Sequence, residues 1–450
     1  MQVEMRNKSD TGPSLGREAQ VPAVQPAQWT LPTRIAFRFG FVYFTLFNLE
    51  LFLHLLPFPP FSQFSWLWDF TRGKTVVWIS KHVLHVTHDF ATDYLNSLVG
   101  SKDTTYYYVQ ALCYLLIAAV ATLTWSLWDR KRQEYAWLHR WFLLALRVTL
   151  AAALIPYGAV KLFPAQFPPP TLSQFLDTYG NSTPRQLLWI SMGVAPIYSF
   201  FGGLMEVIPG LLLMIPPLVT LGALLSTAAM SNVLMLNFGY DVEAKLFVIN
   251  LFLMGIVILL PDLARLADFF VLNRGVPAVA EKPLLRRKSL NRAALVLQIA
   301  FGIVLLGYNV YRSHQVASQF AAARKTPLSG IWFVDEFQIS GEPRPPLATN
   351  AHRWQRMIVN YADQVVVQVM TGTTNFLILR SDPRMKSLVL TQPGNPNWIA
   401  ELTYDDSRPG SLVLSGKMGG LPVLIRLHRE DESRFPLNDH SVHWISDAVK

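Results

Sequence analysis

Two hydrophobic periodicities divide the chain. Up to about residue 312 apolar residues run in long blocks, whereas after Ser329 they alternate with polar ones. A helix that crosses a bilayer needs about 20 largely apolar residues. Seven windows meet that need: 35–56, 106–128, 141–162, 187–214, 218–238, 246–261 and 293–311. The Pro216-Pro217 pair separates the fourth from the fifth, because proline lacks an amide hydrogen and restricts the residue before it. In the C-terminal part, runs such as Ile331–Phe337, Gln364–Met370 and Pro422–Leu427 are divided by turn residues, among them Thr371-Gly372, Asp382-Pro383 and Gly419-Gly420. Period-two runs at this spacing predict an antiparallel meander. The expected fold is an α-helical membrane bundle of about seven transmembrane helices, followed by a small antiparallel β-barrel or curled β-sheet domain. Its expected parts are a polar tail (1–34), a membrane domain (35–312), a linker (313–328) and a β-domain (329–450).

Between the first two windows lies a segment, 57–105, too long for a simple turn. Within 74–88, Val77, Lys81, Leu84 and His88 fall in line at helical spacing, which predicts an interfacial helix. His82, His85 and His88 recur every three residues ahead of Asp89 and Asp93. On a helix they fan over about 120°, wider than the single face used by i,i+4 zinc pairs. No metal is therefore predicted. A solvated helix face, metal or haem ligation through these histidines, and a quinone head-group or proton-transfer role are the readings open to them.

Composition agrees with a membrane protein: of 450 residues 51% are hydrophobic and only 15% charged, with a mean hydropathy of +0.26; a soluble chain has about 25% charged residues. The one cysteine, Cys113, excludes an intrachain disulfide, a thiolate zinc cage and a CxxC pair. The net charge of +9 sits entirely in 1–324, since 325–450 hold 13 basic and 13 acidic residues. The basic residues lie in short segments between apolar runs, not interleaved with aromatics, so no nucleic-acid partner is expected. With the N-terminus inside, the cytoplasmic segments collect 16 Lys and Arg against nine outside, led by Asp129-Arg-Lys-Arg132 and Leu285-Arg-Arg-Lys288. The positive-inside rule then predicts a multi-pass membrane protein with a cytoplasmic N-terminus and its β-domain outside. The first 30 residues lack the pattern of a cleavable signal, so the first span is expected to direct insertion. Trp66, Trp68, Trp78, Trp125 and Trp128 suit interfacial anchors.

Ionisable residues inside spans are costly and mark candidate sites. Arg147 lies about seven residues from the inner end of its span and Glu206 about eight from that of its own; at about 1.5 Å per residue the depths coincide, and a structural Arg147–Glu206 ion pair is expected. A second group gathers near the outer face: Asn48, Glu50 and His54 from the first span, Tyr157 and Lys161 from the third, Asn232 and Asn237 from the fifth, then Asp241 and Lys245. Lys161 and Glu50 are the candidate catalytic groups, and Asn48, His54, Tyr157, Asn232, Asn237 and Asp241 the candidate pocket. Three roles stay open for Lys161: base, anion binder, or snorkelling interfacial lysine. The asparagines could equally serve as interhelical hydrogen bonds. No phosphate loop, GxGxxG or GxSxG occurs, and Gly202-Gly203 lies within a span, where small residues allow close helix approach.

Two resemblances follow from particular residues. Arg147, Gly158-Ala-Val-Lys161-Leu162 and Gly202-Gly203-Leu-Met-Glu206-Val-Ile-Pro-Gly210-Leu within 140–272 resemble the DoxX family of small four-helix bacterial membrane proteins, and the flanks Lys161–Phe167 and Asn237–Lys245 resemble a longer subgroup. That resemblance implies a bacterial inner-membrane protein, some of whose relatives serve as subunits of thiosulfate:quinone oxidoreductase; the region is also similar to the membrane domain related to vitamin-K-dependent carboxylase. The cofactor it suggests is a quinone. The extra spans on both sides and the appended β-domain depart from the minimal family. Gly330-Ile-Trp332 with a late Arg426 or Arg429 resembles the lipocalin-like arrangement, in which an early Trp packs under an Arg of the last strand. The leading expectation is quinone-linked redox chemistry at the outer face. The competing one is a non-enzymatic membrane protein whose barrel receives a lipid or protein partner. Transport is disfavoured because paired interrupted helices with midplane sites are not seen in the pattern.

Overall fold

A computed structural model of the chain describes residues 29–55, 61–87, 90, 103–276 and 284–438. Its N-terminal half is helical and membrane-spanning, and its C-terminal half is a closed antiparallel barrel. α1 (Leu31–Leu55) packs against α2 (Phe61–His82) and α3 (Thr105–Trp128). α4 (Ala136–Leu162) touches α1, α6 (Pro196–Leu212), α8 (Lys245–Leu259) and α10 (Lys288–Ala323), and so forms the hub. α5 (Pro184–Val194) precedes α6, α7 (Val219–Gly239) packs between α6 and α8, and α9 (Leu263–Phe270) follows α8 after one 3-10 turn. Among the described residues five helices are long and apolar enough to cross a membrane, or six if the bent α5–α6 pair is one span. α1, with 25 residues, reaches about 37 Å and brings the number close to the expected seven.

Glycines set the central packing. A Cβ on Gly158 would lie 2.7 Å from both the Gly203 carbonyl oxygen and Val207 Cγ2, and one on Gly210 would lie 2.8 Å from Ile155 Cγ1. α4 and α6 therefore meet backbone to backbone, as small residues allow in membranes. Leu150, Leu154, Ile155 and Met254 fill the core around this contact. At the opposite end from the barrel, Arg38 is almost completely buried and donates to Ser126 Oγ (2.7 Å), the Tyr135 hydroxyl (2.6 Å) and the Asp129 carbonyl (3.0 Å). A residue read as the flank of a span is thus the bolt between α1 and the α3–α4 turn.

Three expectations change. The window 187–214 is not one helix: α5 and α6 meet at 99°, because Pro196 cannot continue the α5 hydrogen bonds and Ala195 leaves the helical region (φ −110°, ψ 70°). The helix over 74–88 instead starts at Phe61 and stops at His82, and His85 takes a left-handed conformation (φ 52°). The linker 313–328 is helical to Ala323, since α10 has 36 residues and meets no Gly or Pro between Ser313 and Ala323.

The barrel consists of β1 (Gly330–Ile339), a two-residue β2 (Glu342–Pro343), β3 (Trp354–Tyr361), β4 (Gln364–Val369), β5 (Thr374–Asp382), β6 (Ser387–Gln392), β7 (Asn395–Asp405), β8 (Ser411–Met418) and β9 (Leu421–Arg429). Apart from β2 the strands pair in chain order, and β1 pairs with β9 to close an eight-stranded barrel. Alternation puts Trp332, Phe337, Leu390, Leu412, Leu414 and Ile425 inside. Trp332 Nε1 donates to the Leu328 carbonyl (2.9 Å), and Trp332 sits opposite Arg429 in register. Arg426 instead pairs with Glu336 at 2.9 Å. The barrel is in this loose sense lipocalin-like, with Arg429 as the late basic residue.

The barrel rests on the segment 163–183 between α4 and α5. Asn360, buried at the end of β3, accepts from Ser173 N (3.0 Å) and donates to Ser173 Oγ (2.9 Å). Arg324, at the end of α10, donates to the Pro169 and Pro170 carbonyls, and Phe175 stacks on Phe435 at 5.6 Å. Gly158→Ala should destabilise the protein by about 1–3 kcal/mol through forced separation of α4 and α6, read as a lower thermal midpoint in detergent, whereas Gly239→Ala, where a Cβ meets nothing within 4 Å, should leave it unchanged.

Candidate functional site

A cavity of about 170 Å³ lies at the barrel-proximal end of the bundle, walled by α4, α6, α7 and α8 and roofed by α5 and the segment carrying Gln166 and Phe167. α6 and α7 touch closely at their junction, where a Cβ on Gly222 would lie 2.9 Å from Leu213 N. Toward the barrel the cavity separates them. Phe201, Met205 and Asn232 are exposed at its edge, so the cavity opens sideways between two apolar helices.

Its floor and walls are apolar, supplied by Leu154, Met230, Val233, Phe247 and Leu251. One ion pair interrupts them. Lys161 Nζ donates to Glu206 Oε2 (2.7 Å), to Glu206 Oε1 (3.0 Å) and to the Tyr157 carbonyl (3.0 Å). The ammonium thus straddles the Glu206 carboxylate and is tied back to its own helix through the Tyr157 carbonyl. Glu206 is only 3% exposed, and Lys161 is the partner that offsets the cost of burying its carboxyl group. Ser199 Oγ donates to the Lys161 carbonyl at 3.3 Å and holds the end of α4 against α6.

The expected Arg147–Glu206 pair is not formed. Arg147 Nη2 instead donates to Gln298 Oε1 at 2.8 Å on α10. The antiparallel register fixed by Gly158 against Gly203 and Ile155 against Gly210 reaches the end of α6 before it reaches Arg147. Equal depth, counted from ends that the structure moves, put the wrong basic residue beside the carboxylate.

Of the other candidates, Tyr157, Lys161, Asn232 and Asn237 line the cavity together with Glu206. Asn237 is 5% exposed, and its carboxamide has no hydrogen-bond partner among the described residues. Asn48 belongs elsewhere: it is buried between α1 and α8, with Nδ2 at 3.6 Å from Met254 Sδ. Asp241 is exposed at the turn before α8 and pairs with Lys245 at 2.8 Å, and that lysine holds its carboxyl below the usual range. Glu50 and His54 lie on α1 with side chains outside the described residues, as does the whole of His88. His82 stacks on Trp78 and bonds the Trp78 carbonyl through Nδ1 at 2.9 Å. Among the described residues no group of three metal-ligating side chains converges.

The roof was not foreseen. Gln166 and Phe167 from the segment after α4 and Trp189 from α5 cover the cavity because α5 folds back over it, and Tyr198 and Ser199 join them from the start of α6. Phe167 meets Trp189 edge to face at 5.2 Å, and a Cβ on Gly193 would strike the Pro168 carbonyl. Two signals mark this in the sequence: Thr183 and Gln186 form a capping box, and Ala195-Pro196 is a helix boundary. Gln166 Oε1 is buried without a partner. In the same segment burial raises the Asp177 carboxyl above its ordinary value.

A second cavity, of about 630 Å³, opens at the barrel end remote from the bundle, between the end of β1 and the starts of β3, β5 and β7. Trp354, Trp398, Val367, Leu377 and Met418 line it. Asn375 and Gln392 occupy inward positions that strand alternation reserves for apolar side chains. Comparison of the chain with protein families, curated proteins and solved structures finds no match.

Breaking the ion pair from either side leaves a buried charge alone. Lys161→Met and Glu206→Met should each cost about 3–5 kcal/mol, and the double replacement less than either. Thermal unfolding of the three variants in one detergent measures this; additive single effects would show that the two groups act independently.

Proposed function

We propose that the bundle cavity binds the head of a lipid-soluble quinone and that the chain is a DoxX-like protein supporting quinone-linked redox chemistry. The observation that carries this reading is the sideways-opening apolar cavity with one buried ion pair and the carboxamides of Asn232 and Asn237 in its lining. Ligand sites are apolar clefts with a few placed polar groups, and a ligand dissolved in the bilayer enters such a cleft laterally. Its size, about 170 Å³, is close to the roughly 150 Å³ that admits a benzene ring, so it suits one ring, with an apolar tail leaving between α6 and α7. Tyr157, Asn232 and Asn237 face the ring, while Lys161 organises Glu206 and serves neither as free base nor as anion binder. In this reading the N-terminus is cytoplasmic, and the cavity and barrel lie at the outer face of the inner membrane.

A second reading is favoured by the barrel cavity: a non-enzymatic membrane protein whose barrel receives a lipid or protein partner. Solvent extraction of the purified protein separates the two. Near-stoichiometric quinone, lost in an Asn237→Leu variant that accumulates normally, supports the first. A protein without quinone or visible absorbance, carrying lipid or a stoichiometric partner on the barrel, supports the second. A reporter fused after Lys450 should be active only outside the cytoplasm; activity inside overturns the orientation.

A further inference from the structure

We infer that the barrel cavity holds a single-chain amphiphile with an anionic head, taken up from the aqueous side, its chain inside the barrel and its head beside the loop 344–353. This rests on the second reading above, the barrel as receiver of a lipid, and adds to it the class of ligand; it is independent of what fills the bundle cavity.

The walls set the chain. Trp354, Val367, Leu377, Trp398 and Met418 line the cavity, and such surface holds a ligand by burying its hydrocarbon. A cavity of roughly 150 Å³ admits the six carbons of a benzene ring; at that scale the barrel cavity, about 630 Å³, takes about two dozen carbons. One acyl chain fits, and the two chains of a diacyl phospholipid do not. The mouth lies at the barrel end remote from the bundle, whereas Asn360 seats the opposite end on Ser173. A ligand therefore enters from water and not from the bilayer.

The charge of the lining sets the head. Its ionisable residues are Arg344, His352 and Arg353, with no Asp or Glu among them. The domain as a whole has no such bias, since 325–450 hold 13 basic and 13 acidic residues. All three come from the loop between β2 and β3, so one side of the mouth is cationic and orients what enters. Arg353 is only 3% exposed. It donates to the carbonyls of Arg344 (2.8 Å), Trp354 (3.1 Å), Val334 (3.3 Å) and Asp335 (3.3 Å), and so clamps both ends of the loop to β1. These acceptors are neutral, and among the described residues no carboxylate oxygen lies within 4 Å of the guanidinium. Asp335 turns its carboxylate to His428 instead, at 2.7 Å.

A buried charge without a counter-charge is costly, and an anion in the cavity supplies one. Arg353 acts on it through the low-dielectric interior, while Arg344 and His352, both exposed at the rim, are the groups placed to touch the head. The one carboxylate beside Arg344 is the exposed Glu342 at 3.6 Å, a pair that water screens. Asn375 and Gln392, whose carboxamides have no partner among the described residues, offer further N–H groups to head oxygens.

The test uses the full chain in lipid nanodiscs, with radiolabelled decanoate and decanol measured by equilibrium dialysis against empty nanodiscs at a pH that keeps decanoate ionised. The two probes share one chain length and differ in the charge of the head. Decanoate should bind at one per chain above the empty-disc background and at least about tenfold more tightly than decanol, the effect of one charge-assisted hydrogen bond. Arg344→Gln should weaken decanoate about two- to fivefold and leave decanol unchanged. Asn375→Trp, which fills the mouth without altering the rim charges, should remove the binding of both; should that variant fail to accumulate, the exposed Arg344→Gln locates the site on its own. Decanol binding as tightly as decanoate, or decanoate binding unchanged in Arg344→Gln, overturns the anionic head and leaves the lipid-receiving barrel standing. If neither probe binds above empty nanodiscs, the barrel is no lipid receiver and this inference fails with that reading.

Discussion

The backbone contact between α4 and α6 is the constraint on which the membrane half depends. Gly158 and Gly203 carry no side chains where any would collide, so the two helices approach closely enough for Lys161 to reach across to Glu206. The pair then offsets part of the penalty of placing a carboxylate among apolar side chains. Each feature needs the other: the glycines fix the register, and the register decides which basic residue neutralises Glu206. With α4 held in this way, α8 and α10 pack on its remaining faces.

Above that contact the chain makes one long excursion, residues 163–183, that serves both halves of the molecule. Its first part puts Gln166 and Phe167 over the cavity, and its later part receives the barrel through Ser173 and Phe175. The barrel is thus seated on the segment that roofs the bundle cavity, and its own open mouth points away from the bundle. Arg324 ties the end of α10 to the same segment, so helix, roof and barrel share one set of fixings.

The chemistry available at the bundle cavity follows from which groups are already satisfied. An isolated lysine near a membrane surface is a natural candidate for a base or an anion site. Here it is held by Glu206 and the Tyr157 carbonyl. A wholly apolar lining would hold a ring by shape alone. Tyr157, Lys161, Glu206 and Asn237 add polar groups to that lining.

The sequence by itself determined the two halves, the positions of most of the long helices, an antiparallel meander and four of the polar residues proposed for a pocket that do line the cavity, Tyr157, Lys161, Asn232 and Asn237. Those features follow from local rules: period, length, and the cost of burying charge. It also contained, in Thr183-x-x-Gln186 and Ala195-Pro196, the signals for the bend that sets the roof. What only the tertiary structure decided was pairing. Depth along a helix does not say which helix faces which, so Arg147 was assigned to Glu206 although Lys161 holds it and Arg147 turns toward Gln298 on α10. The same holds for Asn48, level with the cavity in sequence but facing Met254. Side-chain periodicity fixes a residue's height and face; the helix that this face meets depends on packing contacts between segments far apart in the chain.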